Sequence, residues 1–516
     1  MRMRPLQRRG ILSAMHSLLG FFVVAVLAAP AQTVGVQRPN LLLITADDLN
    51  CDSVGAFGST VAGTTPNIDR LAKEGMRFTR AHVTIAVCQP CRAVWMTGRY
   101  PHRSGGHGFH KLTKKNVPIL PGLLREAGYR VGILGKVKHS TPYASFRWDY
   151  AYDQKDLGQG RNPKLYAERA GKFFKGAAQA KRPFFLMANS HDPHRPFNGN
   201  DRKIVYAKGE GAARPSRGFS PEEIKVPGFL ADLPAVRREI AEYMSSVRRC
   251  DDTVGALLGA LEDSGLAEST VVVFLSDHGM ALPFAKTNCY LHSTRTPLIV
   301  RWPERVKAGE EDRDHFVAGI DLLPTLLEIA GVAVPEGIDG TTFATLLKGE
   351  KEPGRDAVFT QFHATSGARA YPMRAVVTER YLYVFNTWAD GKTVFRNESQ
   401  NGRTMRAMRA AASTDSRIRG RVDLFLHRTV EELYDLERDP DALDNLAGRE
   451  QHAQAQMRMR DRLRKWMRQT EDPALAAFDR RDSPEALAAF TRSESEAARR
   501  RRPARRRGPK ARGKKD

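Results

Sequence analysis

One cysteine of this chain has neighbours that could make it part of a reactive centre. Cys88 begins the run CQPCRAVWMTG, in which Pro90 suits the first position of a helix because its missing N–H is not needed there. Arg92 follows Cys88 by four residues, so a helix would bring its guanidinium to the face that carries the sulfur. The unpaired N–H groups of a helix start also favour an anion. A free cysteine is most often a buried apolar side chain, but these neighbours instead indicate a site that handles an anionic group.

Two adjacent carboxylates, Asp47 and Asp48, directly follow a continuous apolar segment at residues 39–45. A similar segment at residues 270–275 leads into an Asp-His pair. Such segments are typical of strands buried in a parallel sheet, and open α/β sheets form their sites at the carboxyl ends of those strands. Neighbouring carboxylates repel each other unless a cation compensates, and oxygen-rich clusters suit calcium or magnesium. The sequence therefore predicts a divalent-cation site that includes Asp47, Asp48, Asp277 and His278.

Basic and histidine-containing turns follow three further segments. Lys136 and His139 lie in the run GKVKH, His194 lies in the run HDPHRP, and Lys286 follows Asp277 by nine residues. Lysine offers a compact charge to an oxyanion, and histidine can transfer protons near neutral pH. Each turn by itself is typical of a solvated loop, so only their occurrence together predicts a catalytic site.

These motifs, in this order, resemble those of the sulfatase family. The resemblance implies that Cys88 is oxidised to formylglycine by a formylglycine-generating enzyme and that the hydrated aldehyde is the nucleophile. It also implies one Ca²⁺ per chain, bound by Asp47, Asp48, Asp277, His278 and the residue at position 88. The catalytic residues implied in this way are Cys88, Arg92, Lys136, His139, His194 and Lys286.

Further matches are similar to the N-sulfoglucosamine sulfohydrolase (sulfamidase) branch of that family. They include residues 88–109, 184–195 and 371–374, and the runs ELYD and LRKW nearer the C-terminus. This branch implies hydrolysis of the N-sulfate of glucosamine in a heparan-type glycan. An O-sulfatase resembling iduronate-2-sulfatase, a phosphonate or phosphodiester hydrolase of the same superfamily, and a non-catalytic binder of sulfated glycan remain alternatives. The residues proposed for substrate recognition are His107, Asp192, Arg195 and His363.

Alternating strand-like and helix-like segments predict an α/β fold. The resemblance implies the alkaline-phosphatase-like sulfatase fold, with a large mixed and mostly parallel sheet between helices and a smaller C-terminal antiparallel sheet. A short strand at residues 432–436 and a helix at about 453–470 are expected in the smaller domain. The predicted divisions are a signal peptide at 1–31, a catalytic domain at 38–372, a C-terminal α+β domain at 373–475 and a basic disordered tail at 476–516.

Both ends of the chain are rich in basic residues. Among its 516 residues, which carry a net charge of +24, four arginines fall in the first nine positions and precede a short apolar run. This pattern predicts a cleaved signal peptide rather than a stable membrane span, and hence export to the periplasm, the cell exterior or a lysosome-like compartment. Residues 499–516 hold eight arginines and three lysines, which could bind polyanions but predict no specific nucleic-acid function.

Five cysteines are too few for a disulfide scaffold and show no spacing typical of a paired metal site. If Cys88 is converted, four remain, and disulfides among them are permitted in an exported protein. The sequence does not predict how Cys51, Cys91, Cys250 and Cys289 would pair.

Overall fold

The computed structural model describes residues 38–199, 211–303 and 305–501. The predicted signal peptide lies outside these residues. The fourteen described strands are β1 (Asn40–Asp47), β2 (Met76–Phe78), β3 (Ala81–His82), β4 (Arg130–Leu134), β5 (Tyr150–Tyr152), β6 (Phe184–Pro193), β7 (Thr270–Ser276), β8 (Leu298–Arg301), β9 (Glu310–Asp312), β10 (Val317–Ala318), β11 (Ala357–Ala364), β12 (Ala370–Thr378), β13 (Tyr381–Asn386) and β14 (Glu431–Asp435).

Helices alternate with the strands through the first two thirds of the chain and are more frequent near its end. The fourteen described α-helices are α1 (Pro66–Glu74), α2 (Cys88–Thr97), α3 (Pro101–Ser104), α4 (Leu120–Glu126), α5 (Val137–Ser140), α6 (Pro163–Gln179), α7 (Pro234–Asp263), α8 (Leu291–Thr294), α9 (Leu322–Ile329), α10 (Arg403–Ala411), α11 (Ser416–Leu426), α12 (Ala453–Gln469), α13 (Leu475–Asp479) and α14 (Pro484–Arg501). No helix in the described ranges is long and apolar enough to cross a membrane.

A large sheet of eight strands, in the order β5-β4-β6-β1-β7-β8-β2-β9, forms the centre of the protein. The neighbours from β5 to β7 are parallel, whereas β8 is antiparallel to both β7 and β2. Every residue of β1 and β7 is buried, as the continuous apolar segments predict for strands covered on both faces. The mixed, mostly parallel sheet is therefore confirmed.

The C-terminal sheet has four antiparallel strands in the order β11-β12-β13-β14. It contains the predicted strand near 432–436, and the predicted helix near 453–470 follows as α12. The sheet begins at Ala357, before the boundary predicted at residue 373, because β11 pairs with β12. Chain order alone could not reveal this pairing.

The prediction of disorder from residue 476 onward is wrong for the part that the structure describes. Helices α13 and α14 occupy most of residues 475–501. Phe478 and Leu487 are buried in a cluster with residues of the C-terminal sheet. The basic composition conceals these apolar positions, and their burial offsets the entropy that ordering the segment costs.

All five cysteines are buried and unpaired in the structure. Any disulfide would therefore require rearrangement of the protein interior. The thiols fit the structure as small apolar side chains, except at position 88, where polar residues surround the sulfur.

Candidate active site

Four side chains from three elements meet at the carboxyl edge of the large sheet. Asp47 ends β1, Asp48 follows it in the left-handed backbone region at φ 68°, Cys88 begins α2, and His278 follows β7. One potential ligand atom from each lies within 4.8 Å of the others, and all four residues are buried. Because β1 and β7 are parallel neighbours, their carboxyl ends bring together groups that are 230 positions apart in the sequence.

Arg92 and Asp277 form a buried ion pair beneath this cluster. The Arg92 Nη2 and Asp277 Oδ2 atoms are 2.9 Å apart, and Arg92 Nη1 donates to Thr45 Oγ1 and Asn189 Oδ1. The other oxygen of Asp277 accepts the backbone N–H of Asp48 at 3.1 Å. Cys88 and Arg92 both lie on α2, four residues apart, and the Arg92 guanidinium binds Asp277 and neighbouring polar groups. Pro90 is the third residue of α2 rather than the first, which its missing N–H still permits.

Lys136 contacts the carboxylate of Asp47 from the end of β4. Its backbone adopts φ 50°, and its N–H donates to His191 Nε2 at 3.1 Å. The ammonium forms a salt bridge with Asp47. Burial alone would raise the pKa of Asp47, but Lys136 and other nearby cations lower it well below its ordinary value. Both partners of this pair are therefore charged at neutral pH.

Lys286 forms a bridge between Asp48 and an acid that the sequence interpretation missed. Its Nζ lies 2.8 and 2.9 Å from the two oxygens of Asp48 and 2.5 Å from Glu398 Oε1. Lys286 lowers the pKa of Glu398 to about 2. Burial acts to lower the pKa of Lys286, but Asp48 and the other acids raise it well above its usual value. A buried cation thus binds Asp48, as Lys136 binds Asp47.

The two predicted proton-transfer histidines differ in their surroundings. His139 lies on the short helix α5, and its buried Nδ1 has no hydrogen-bond partner in the described residues. Burial, with a contribution from Lys136, lowers its pKa to about 3, so the ring is neutral. His194 keeps 30% of its side chain exposed, its Nε2 is 4.0 Å from Asp48 Oδ2, and its Nδ1 is 2.6 Å from the carbonyl of Arg195. His194 is therefore the one that an incoming ligand can reach directly.

Two of the four residues predicted to recognise substrate have structural partners instead. Asp192 is fully buried and binds Arg249 through both carboxylate oxygens, at 2.7 and 2.9 Å. Arg195 binds Glu239 at 2.7 Å and also donates to the carbonyl of Ala281. Asp192 is buried because the run that contains it continues β6 into the interior, where a carboxylate needs a buried cation. Arg195 is only partly exposed and its donors are already in use.

The other two, His107 and His363, lie close together. Their ring centroids are 5.2 Å apart, and both rings line one narrow pocket. His363 is buried, with Nε2 2.6 Å from Gln361 Oε1. The structure therefore keeps these two residues as candidates for contact with a ligand.

The donors in the cluster suit a hard divalent cation. Both oxygens of Asp47 and the Nε2 of His278 are buried and have no hydrogen-bond partner in the described residues, although Lys136 contacts Asp47 electrostatically. Buried polar atoms in this state are rare in proteins unless a water or an ion satisfies them. Asp277, in contrast, already accepts hydrogen bonds at both oxygens. The residues present thus fit a cation held by Asp47, Asp48 and His278, with Asp277 beside it.

Three contributors to the site were absent from the predicted set. They are Glu398, His191 and Asn189. Asn189 connects β6 with β4, β1 and α2, since its amide donates to the carbonyls of Leu134 and Gly135 and its oxygen accepts from Thr45 and Arg92. His191 and Asn189 lie in the same run as His194, which could have drawn attention to them, whereas nothing in the sequence marks Glu398.

Comparison with known proteins identifies the class. Residues 39–332 match the family model Sulfatase, and residues 277–400 match the model N-sulphoglucosamine sulphohydrolase, C-terminal. The chain is 32% identical over 469 residues to human N-sulphoglucosamine sulphohydrolase, and the alignment covers 86% of this chain and 92% of the relative. It is 26% identical over 480 residues to an ulvan-active sulfatase of Formosa agariphila, covering 85% and 76%. The chain belongs to the sulfatase family, and its activity is hydrolysis of a sulfate ester or sulfamate.

Solved structures agree with the fold. A protein bound to its substrate D-glucosamine-2-N,6-O-disulfate superposes with a TM-score of 0.63 at 20% identity, covering 85% of this chain and 99% of that one. The phosphonate monoester hydrolase of Agrobacterium radiobacter superposes with a TM-score of 0.58 at 21% identity, covering 84% of this chain and 96% of that one. The expected alkaline-phosphatase-like fold is thereby confirmed.

Proposed function

We propose that this sulfatase removes the N-sulfate of glucosamine in a heparan-type glycan. The observation that carries the proposal is the match of residues 277–400 to the C-terminal model of N-sulphoglucosamine sulphohydrolase. That stretch supplies both Lys286 and Glu398, which bind each other beside Asp48. The part of the chain that resembles this branch therefore forms one wall of the site itself. The human relative named for the same reaction agrees in its overall length.

The nucleophile in this proposal comes from Cys88. Burial raises the pKa of its thiol well above the ordinary value, so the unmodified side chain would be a neutral and poor nucleophile. Conversion of Cys88 to formylglycine by a formylglycine-generating enzyme would supply a hydrated aldehyde with a hydroxyl nucleophile and a second hydroxyl for release of sulfate. The start of α2 fixes this position among Asp47, Asp48 and His278.

A bound Ca²⁺ would be held by Asp47, Asp48 and His278, beside Asp277 and the residue at position 88. It would offset the charge of the carboxylates and polarise the anionic group. Arg92 would act mainly by fixing Asp277, to which it donates from two nitrogens. This arrangement would hold in place the acid that orients the Asp48 backbone.

Lys136 and Lys286 would stabilise charge on the sulfate oxygens. Each is a buried cation fixed by one carboxylate of the cluster, and preorganised charge of this kind is commonly the largest contribution to catalysis. His194, the exposed histidine, would donate a proton to the departing amine. His139, which is neutral and has a free Nδ1 in the described structure, would accept a proton during release of sulfate.

The amino-terminal pattern and the basic end support two further proposals. Residues 1–31 would direct export to the periplasm or the cell exterior, or to a lysosome-like compartment in a eukaryote. The basic residues near the C-terminus would favour association with sulfated glycan over uncharged polymers. Both follow from the sequence pattern alone.

A parallel assay tests the substrate. Protein from its native host would be supplied with N-sulfoglucosamine, 6-O-sulfated and 2-O-sulfated sugars, and a phosphodiester, and the released sulfate or alcohol would be measured. We expect release from N-sulfoglucosamine to be fastest and a Cys88→Ala variant to be inactive on all four. Preference for an O-sulfated sugar would refute the N-sulfate proposal. Mass spectrometry of the peptide that contains Cys88 tests the modification, and an intact thiol in active protein would refute the formylglycine mechanism.

A further inference from the structure

A narrow pocket beside the catalytic residues has no role in the proposed reaction. Its volume is about 50 Å³, which has room for roughly three or four water molecules. A single sulfate or carboxylate group fits in a space that holds this many water molecules. The pocket lies between the loop at residues 107–110, the end of β11 and helix α14.

The walls of this pocket are connected directly to the active site. The side-chain amide of Gln89, the residue after Cys88, donates to the carbonyl of His110 at 2.8 Å. Phe109, on the same loop, packs edge-on against the ring of His139 at a centroid distance of 6.1 Å. The loop at residues 107–110 therefore contacts both the residue that follows Cys88 and the ring of His139.

The polar groups that face the pocket suit an anion. His107, His110 and His363 line it, and Arg501 is the only lysine or arginine among the described residues that do so. Burial, with contributions from His363 and Arg501, lowers the pKa of His107 to about 2, so this ring is neutral and Arg501 supplies the charge. Among the described residues, Glu494 is the one acid in the lining, and its Oε2 is 3.3 Å from His363 Nδ1.

Arg501 and Glu494 both belong to α14. This helix lies beyond the residues that match either family model. The pocket is thus closed by an element that neither model includes. It packs on β11 and β12, so its position relative to the catalytic sheet is fixed by the small antiparallel sheet.

We propose that this pocket binds a second anionic group of the glycan, and that Arg501 is a specificity-determining residue supplied by α14. The group would be a further sulfate on the same glucosamine or the carboxylate of an adjoining uronic acid, with the scissile sulfate beside Lys136 and Lys286. The inference rests on the proposed function, because it assumes a glucosamine-type substrate.

The test compares Arg501→Gln with Arg500→Gln. Arg500 is the adjacent arginine on the same helix, and its side chain is 74% exposed, so it is a control for charge and helix propensity. KM and kcat are measured for N-sulfoglucosamine, for the same sugar with a 6-O-sulfate, and for N-sulfoglucosamine joined to a uronic acid. Melting curves of the variants establish that α14 still folds.

We expect Arg501→Gln to raise KM about ten-fold for the substrates that carry a second anion, as the loss of a charge-assisted hydrogen bond predicts. KM for N-sulfoglucosamine and all values for Arg500→Gln should stay within about two-fold of wild type. An effect confined to the 6-O-sulfated sugar identifies sulfate as the ligand, and one confined to the uronate compound identifies the carboxylate. Glu494→Gln should shift KM for the doubly charged substrates in the opposite direction, which a simple loss of structure would not do.

Equal changes for all substrates, or none, in Arg501→Gln would overturn the inference while leaving the proposed function intact. To separate the two failures, the same three compounds are also used as inhibitors of 4-nitrophenyl sulfate hydrolysis. If no N-sulfate is cleaved but the doubly charged compounds inhibit in a manner that depends on Arg501, the pocket assignment stands and the proposed function fails. Absence of inhibition by all three compounds would overturn both.

Discussion

Replacement of Lys286 by methionine should affect both stability and catalysis, because this residue links two acids of the site. Its side chain is fully buried, with Nζ at 2.8 and 2.9 Å from the oxygens of Asp48 and 2.5 Å from Glu398. Methionine keeps the length and the apolar stem of lysine but removes the charge. Asp48 is also buried, and among the described residues its carboxylate would then keep His278 at 3.3 Å and His194 at 4.0 Å as partners.

The expected loss of stability follows from the burial of the ion pair between Lys286 and Asp48. Loss of one partner of a buried ion pair costs about 3–5 kcal/mol, because the remaining charge is left in a medium of low polarity. We therefore expect the free energy of unfolding to fall by about 3–5 kcal/mol in metal-free protein. If Asp48 is a ligand, added Ca²⁺ should recover part of this loss, since binding to the folded state stabilises it. The rate of sulfate release should fall about 10²–10³-fold, the usual effect of removing one charge-stabilising donor.

The assay is urea unfolding with and without Ca²⁺, together with steady-state kinetics. Lys172→Met is the matched control, because Lys172 also lies 2.8 Å from its partner Glu168, but the two side chains are 59% and 42% exposed. Exposed pairs contribute little to stability, so this variant should unfold like wild type. Lys286→Arg should retain most of the stability and most of the rate of sulfate release, because it keeps the cation. If Lys286→Met and Lys172→Met were equally stable in metal-free protein, the reasoning about the buried bridge would be refuted.

Three more variants test other parts of the site and its support. His194→Ala should lower kcat for an N-sulfate about 10²–10⁴-fold but much less for an aryl sulfate, whose leaving group needs no proton; equal losses would contradict the acid role. Asp192→Asn should lower the free energy of unfolding by about 3 kcal/mol, through its contact with Arg249, and leave KM unchanged; a raised KM with normal stability would restore its predicted role in substrate recognition. Burial acts to raise the pKa of Asp472, but Arg374 lowers it from 3.8 to about 2. Its stabilising effect, about 2–3 kcal/mol by this shift, is therefore present above pH 5 and lost as the pH falls towards 2. Unfolding curves of wild type and Asp472→Asn should converge over that range, and a constant difference would contradict the assignment.

Much of the fold could be predicted because it depends on local patterns. The continuous apolar segments of β1 and β7 and the helix near residue 453 occur within a few residues of their expected positions. Helix α14 was missed because its sequence is rich in charged residues. Only a few apolar side chains, including Leu487 and Phe490, pack against the core of the C-terminal sheet. Whether such a segment is ordered depends on its burial against a sheet that is distant in the sequence, and the charge counted along the chain does not reveal that burial.

The residues of the candidate site likewise include some that the sequence could predict and some that it could not. Types and spacing identified Asp47, Asp48, Cys88 and His278, because residues that follow parallel strands meet at one edge of a sheet. They could not distinguish exposed from buried residues within one run, so Asp192, which is fully buried, was assigned to substrate recognition beside the catalytic His194, which is partly exposed. Only the surroundings of a side chain decide whether it is available to a ligand.

The sequence by itself determined the family, the sheet with its site at one edge, and the chemistry expected at Cys88, because short motifs and apolar periodicity carry that information locally. The tertiary structure alone decided that Glu398 joins Lys286, that Arg92 acts on Asp277, and that Arg501 closes a pocket beside His139. These contacts join residues more than a hundred positions apart, and they form because packing of the two sheets fixes their distances. No local pattern in the chain encodes such distances.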